Sequence, residues 1–456
     1  MLGLFFAALV VLLVMGNMFL RMHSKRKKLT LAFNAVILLN LIASSYFLSN
    51  ANYTYLNFFA ANSFSAFFIF LFTIGIFLLH FLTYSHSQDY RDFALLSSFA
   101  LVGMYIVASE VSLISIFLGL ELVSMPSAFM ILLSKRDGLE AAVKFFVMSS
   151  IAISLLSFAI VIVYGSVNTL ILGAQQQSSL LLFALILFIA SLGFEASIFP
   201  FNVLIPDIYQ GSGAHMTAML GGVNETVGFA ALIQVLILLF INFNFAFFVV
   251  AGLAIFTMSY GNVIALVQDN LKRMLAYSSI SQAGYILIGI AMRSEEGISA
   301  SLFMIFSHAF LFIGAMSIVA WLESKDRNDL NGLIGLYKEN RFCAVALSFF
   351  LLAFIGMPMT TGFVGKFLLF LSAVDAGVVS IVVIGILNTA ISVFYYVKVI
   401  SAVYTNKAGA YRIRVDTPTL FVIAFCLIIT LAFGIYPQPL MQATGSAATY
   451  LLKFGI

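Results

Sequence analysis

The sequence predicts an all-α polytopic membrane protein with about fourteen transmembrane helices, arranged as two inverted five-helix repeats that each contain a discontinuous helix. Three observations predict it. Hydrophobic residues make up 62% of the 456 and charged residues only 9%, with a mean hydropathy of +1.11, whereas soluble chains carry roughly 25% charged residues. Apolar runs exceed the ~20 residues a spanning helix needs and recur along the whole chain. Basic residues collect in alternate connections, as the positive-inside pattern requires.

Taken in order, the apolar runs fall near 1–22, 29–49, 57–83, 93–109, 110–133, 139–165, 178–201, 215–240, 245–268, 274–292, 297–322, 342–372, 377–404 and 418–436. The stretch from Gln442 to Ile456 is mildly apolar and too short to span. The first run has no charge before it and the cluster Arg21, Lys25, Arg26, Lys27, Lys28 after it. That order fits an uncleaved first span with its N-terminus outside. Odd-numbered connections then lie inside. Besides that cluster they carry Arg91, Lys135, Arg136, Lys272, Arg273, Lys325, Arg327, Lys338, Arg341, Lys407, Arg412 and Arg414, against Arg293 and Lys453 outside. Cys343 and Cys426 sit in apolar runs with no C-x-x-C spacing, so neither a metal site nor a haem attachment is indicated.

Spans four to eight and nine to thirteen form two blocks of five, and the fourth member of each is interrupted. The first interruption, GFEASIFPFNVLIPDIYQG, places Glu195 ahead of Pro200 and Pro206; the second, GMPMTTGFVGK, places Lys366 behind Pro358. Proline removes a backbone donor and clashes with the preceding turn. The carbonyls so freed are tolerated at membrane depth only beside protein or a wet cavity. An odd-membered block ends on the face opposite its start, so a second copy enters upside down, and the reversed order of charge and proline fits that inversion. Matched, broken spans point to a transport site. The expected division is residues 1–92 as an N-terminal three-helix segment, 93–240 and 245–404 as the repeats, and 405–456 as a final helix and tail.

Ionisable groups at a helix centre cost ~2.5–3.5 kcal/mol each on insertion scales. Glu121, Lys144, Glu195, Glu225, His308, Lys366 and Lys398 are the candidates for a proton path, with serines, Thr226 and water as links. Each has a plainer reading. Lys144 follows Glu140 at i, i+4 spacing and has the reach to snorkel to the surface, as does Lys398 near its span end. His308 fits a satisfied core histidine, and Asp207 and His215 fit helix caps. Soluble-enzyme readings fail: Phe367 follows Gly365-Lys366 where a phosphate loop needs Ser or Thr, and no G-x-G-x-x-G after a strand, HExxH or G-x-S-x-G occurs.

The segments LELVSMPSAFMILL, LEAAVKFFVMSS, FPFNVLIPDIYQGS, DNLKRMLAYSSISQAGYILIG and FIGMPMTTGFVGKF, in that order, resemble the antiporter-like membrane subunits of respiratory complex I, in particular subunit N of NADH:quinone oxidoreductase. The similarity runs from about Phe93 to Lys407. It implies the fourteen-helix fold with inverted repeats and a role in carrying protons while quinone is reduced elsewhere. It implies no cofactor in this chain, since partner subunits would carry FMN and iron–sulfur clusters and bind quinone. The partners implied are other membrane subunits, protons and the lipid bilayer of the cell inner membrane, with no nucleic acid.

Glu121 matches the family's fifth-helix glutamate, Lys144 the sixth-helix lysine and Lys366 the lysine of the second broken helix. Glu195 and Glu225 stand where lysines are usual. Two nearby carboxylates tend to share one proton, so the switching logic differs here. A weakened channel, or Na⁺ held between carboxylates, would also fit that departure. Two alternatives to a complex I-type proton translocator stay open: a subunit of a multisubunit cation/proton antiporter or membrane-bound hydrogenase, and a non-conducting scaffold.

Overall fold

A computed structural model describes residues 2–23, 26–48, 53–55, 59–109, 112–135, 138–173, 175, 178–327, 329–406 and 413–455. Lys25, Arg136, Lys407 and Arg412, counted above among the basic connections, lie outside them.

The chain is helical almost throughout: α1 (Leu2–His23), α2 (Lys27–Leu48), α3 (Ser63–His86), α4 (Tyr90–Ala108), α5 (Leu113–Ser134) and α6 (Leu139–Val167) lead into the first broken helix. That helix is α7 (Ser179–Glu195) followed by the short α8 (Ile205–Gly211). Next come α9 (Ala214–Leu239), α10 (Asn244–Leu266), α11 (Leu271–Ala291) and α12 (Glu295–Glu323). The second broken helix is α13 (Arg341–Ile355) with α14 (Thr361–Asp375), and α15 (Val379–Tyr404), α16 (Thr417–Ile435) and α17 (Gln438–Gly455) close the chain. Twelve described helices are long and apolar enough to span, and the two broken ones bring the total to the expected fourteen.

Two boundaries differ from the sequence reading. The third span was expected from residue 57, but a hairpin of Tyr53–Tyr55 and Phe59–Ala61 occupies that stretch. The helix starts at Ser63, where Asn62 and Ser65 form a reciprocal capping box that satisfies otherwise orphaned N–H groups. The tail is a full helix, α17, whose buried Leu440, Thr444, Ala447, Ala448 and Leu451 recur at i, i+4, i+7, i+8, i+11. That single apolar stripe packs against α12 and α3.

The breaks have local causes. After α7, Ser197 adopts φ +58° and Ile198 N–H returns to the Gly193 carbonyl at 2.7 Å. Pro206 falls in the first turn of α8, where a missing N–H costs nothing. After α13, Gly356 at φ +106° turns the chain out of the helix, as glycine does at helix ends. Thr360 then caps α14.

Burial orders the bundle. The spanning windows of α9, α11 and α12 are 100% buried, against 28% for α1, α6 and α16. A helix without a lipid-facing side is free to carry polar groups on any face, provided each finds a partner.

Candidate functional site

The central side chains stand on those three enclosed helices. The Glu225 carboxylate on α9 accepts from the Ser197 hydroxyl at 2.7 Å and the Tyr209 hydroxyl at 2.5 Å through Oε1, and from the Ser279 hydroxyl at 2.6 Å through Oε2. His308 Nε2 on α12 lies 3.5 Å from Glu225 Oε2 and 3.0 Å from Ser279 Oγ. Hydrogen bonds to a charged group contribute ~1.5–3 kcal/mol each, so three donors offset the ~2.5–3.5 kcal/mol of placing an acid at this depth.

Glu195, the last residue of α7, is likewise buried. It lines, with Ser197, Tyr209, Asn224 and Glu225, a cavity of about 30 Å³, large enough for one water. Asn224 donates to Ser127 at 2.8 Å, while its buried Oδ1 has no partner among the described residues. The Ser124 hydroxyl, one turn beyond Glu121 on α5, donates to Glu195 at 3.4 Å. The backbone of α9 comes close to this break: a Cβ added at Gly228 would stand 2.5 Å from the Glu195 carbonyl carbon.

On the other side, the His308 ring lies 5.9 Å from the ring of Phe354, near the end of α13. Lys366 on α14 reaches back across the second break and donates to the Phe354 carbonyl at 2.7 Å and the Ile355 carbonyl at 3.3 Å. Its ammonium also sits 4.4 Å from the centre of the Tyr285 ring, a favourable cation–π placement.

The seven candidate residues therefore separate. Glu195, Glu225, His308 and Lys366 form one buried row. Glu121 adjoins it from α5 but is only half-buried, on a flank shared with exposed Leu118, Leu122 and Met125. Lys144 is 31% exposed and pairs with Glu140 at 2.6 Å and Asp207 at 3.4 Å, so its i, i+4 partner is present. Lys398 lies at the surface, 3.0 Å from the exposed Asp269, apart from the row. Asp207 pairs with Arg273 and makes no side-chain cap, and His215 is buried.

Lys272 corrects the sequence reading, which placed it in an inside connection. Asn270 caps α11 two residues before it, so Lys272 falls in the first turn, where it is 1% exposed. Its ammonium donates to the Ser212 carbonyl at 2.6 Å and to Glu323 at 2.7 Å. Glu323 also accepts the Ala214 N–H at 2.6 Å. Glu323 is marked in the sequence only as an acid ending a long apolar run on the face where basic residues collect.

Residues 110–392 match the family described as NADH:quinone oxidoreductase/Mrp antiporter, transmembrane. The chain is 32% identical over 397 residues to F(420)H(2) dehydrogenase subunit N of Methanosarcina mazei, covering 81% of this chain and 80% of that one. It is 31% identical over 426 residues to NADH-quinone oxidoreductase subunit N of Desulfitobacterium hafniense, covering 86% of each. Its fold superposes on a chain of respiratory complex I from Thermus thermophilus with a TM-score of 0.85 at 25% identity, over 97% of this chain and 99% of that one. With a family match over more than half its length and these relatives along most of theirs, the chain belongs to the NADH:quinone oxidoreductase/Mrp antiporter family of membrane proteins.

Proposed function

We propose that the chain is a proton-translocating membrane-arm subunit of a complex I-type quinone oxidoreductase. Protons move along Glu195, Glu225, His308 and Lys366 while quinone is reduced elsewhere in the assembly. The observation that carries this reading is the link from Glu225 through Ser279 to His308, on helices with no lipid-facing surface. Carboxylate, hydroxyl and imidazole within hydrogen-bond reach can pass a proton with small movements. Ser197 and Tyr209 hold Glu225 to the first broken helix, so a shift of that segment changes how strongly the carboxylate is held.

The relatives' names support a place in an enzyme complex and leave the electron donor open, NADH in one and F(420)H(2) in the other. In this reading the chain holds no redox centre, and FMN, iron–sulfur clusters and the quinone site belong to its partners. The division into residues 1–92, 93–240, 245–404 and 405–456 serves as its working map, and the inner membrane, with the N-terminus outside, as its location. Glu121, half-buried on an outer flank, receives the electrostatic influence of an adjoining membrane subunit. Lys144 and Lys398 act at the rim.

Reconstituted complexes carrying Glu225→Gln or Lys366→Ala test the proposal through the number of protons moved per electron pair. A fall in both variants is expected. Wild-type stoichiometry in both would overturn it.

A further inference from the structure

A second cavity, of about 490 Å³, opens where α2 begins, α3 and α12 end and α16 begins. It lies on the face that carries the basic connections. Its walls include Lys27, His86, Trp321, Lys325, Arg414 and Asp416, so three fixed cations face one carboxylate.

That carboxylate is already engaged. Asp416 Oδ2 accepts the backbone N–H and the hydroxyl of Thr419 at 3.0 and 2.7 Å, and Oδ1 lies 4.0 Å from His86 Nε2. Lys27 gives one of its three hydrogens to the Ser87 carbonyl at 3.0 Å. An independent observation comes from the indole of Trp321, which is 2% exposed and whose Nε1–H has no acceptor among the described residues. An indole N–H can only donate, so it calls for an acceptor oxygen, and Trp321 lines a pocket whose fixed charge is positive.

We propose that this cavity binds the phosphate headgroup of an anionic phospholipid, with Trp321 donating to a phosphate oxygen and Lys325 and Arg414 supplying the charge. Two features favour a lipid over a free anion. The mouth is framed by the ends of spanning helices, at the level where headgroups lie and where anionic lipids are attracted by juxtamembrane cations. The volume is also many times the roughly 30 Å³ share of one water, enough for a phosphodiester with its glycerol. The inference is independent of proton translocation.

The test titrates the delipidated full chain in detergent with phosphatidylglycerol, phosphatidylcholine or sodium phosphate. The readouts are the thermal midpoint and the lipid retained by mass spectrometry. Phosphatidylglycerol is expected to raise the midpoint and be retained. Lys325→Gln and Arg414→Gln are each expected to weaken retention by about fivefold, the equivalent of one interfacial charge. Trp321→Phe, which keeps a ring and loses the N–H, is expected to weaken it several-fold, and Lys338→Gln, an exposed charge control, to leave it unchanged. Equal retention of phosphatidylcholine, wild-type retention in the three cavity variants, or the same midpoint rise with millimolar phosphate would each overturn the proposal.

Discussion

The Lys366 ammonium bonds the Phe354 carbonyl at 2.7 Å, so a cation from the second half of a broken helix caps the first half. The C-terminal end of a helix carries partial negative charge and unsatisfied carbonyls, and Lys366 answers both. Lys366→Met should therefore lower stability as well as pumping, by about 1–3 kcal/mol for the buried acceptors left open. Thermal unfolding of the purified complex, beside proton stoichiometry, checks it; a variant that lost pumping with an unchanged midpoint would refute the capping role.

Tyr209→Phe removes one of three hydroxyl donors from Glu225 while keeping the ring. The expected cost is about 1.5–3 kcal/mol, the range for a bond to a charged group, together with slower translocation. Proteoliposome pumping rates compared with those of Ser279→Ala show whether both donors matter; Ser279 also touches His308, so its loss should slow pumping more.

The buried Lys272 and the partly exposed Glu323 form an ion pair 2.7 Å apart, and Lys135 lies 3.8 Å from the same carboxylate oxygen. Removing Glu323 strands the buried ammonium, a loss of about 3–5 kcal/mol, while removing Lys272 leaves Glu323 to Lys135 and the Ala214 N–H; replacing both with apolar residues is often close to neutral. Glu323→Leu should destabilise strongly and Lys272→Met less, and the double variant should recover much of the Glu323→Leu loss. Additive effects in the double-mutant cycle would show that the pair is uncoupled.

Gly228→Ala places a methyl group 2.5 Å from the Glu195 carbonyl carbon, against backbone that cannot swing aside. Overpacking of this kind costs about 1–3 kcal/mol. Because the displaced atoms belong to the first break, proton movement should fall with the midpoint, and Gly252→Ala, where nothing lies within 4 Å, should do neither.

Burial alone would push the Asp416 carboxyl up, but the Ser85 hydroxyl beside it, the Thr419 hydrogen bonds and the His86 imidazole outweigh it and hold the carboxyl below its usual value. A depressed folded value means that the stabilisation is complete above the ordinary aspartate value of about 3.9 and is lost as pH falls through the folded value. Asp416→Asn should accordingly lower the midpoint at pH 7 and match the wild type once both are acidified below that range. A difference that persisted at low pH would point to altered capping instead.

Much of the architecture was legible because bilayer depth and proline chemistry leave few choices. Spans must be long and apolar, and Pro200, Pro206 and Pro358 break them where the structure does. Helical direction around the axis was less legible. Glu121 and Glu225 look equally deep in sequence, yet one sits on a flank and the other between three enclosed helices, because neighbours decide which face is covered. Lys272 reads as a surface residue because KR beside a polar run resembles a loop; the partners that make its burial tolerable, Glu323 and the Ser212 carbonyl, stand some fifty and sixty positions away. Asn224 goes unmarked in the sequence because an amide carries no charge; only the fold shows its Oδ1, without a partner among the described residues, on a residue lining a cavity with two acids.

The short helix α8 has a mechanical consequence. Asp207 fastens it to Arg273 and Lys144 near one surface, while Tyr209, two residues on, grips Glu225 in the interior. The two anchors are only two residues apart in a seven-residue helix and so point to roughly opposite sides of it; a displacement of Asp207 at the rim would therefore carry the phenol in the core with it.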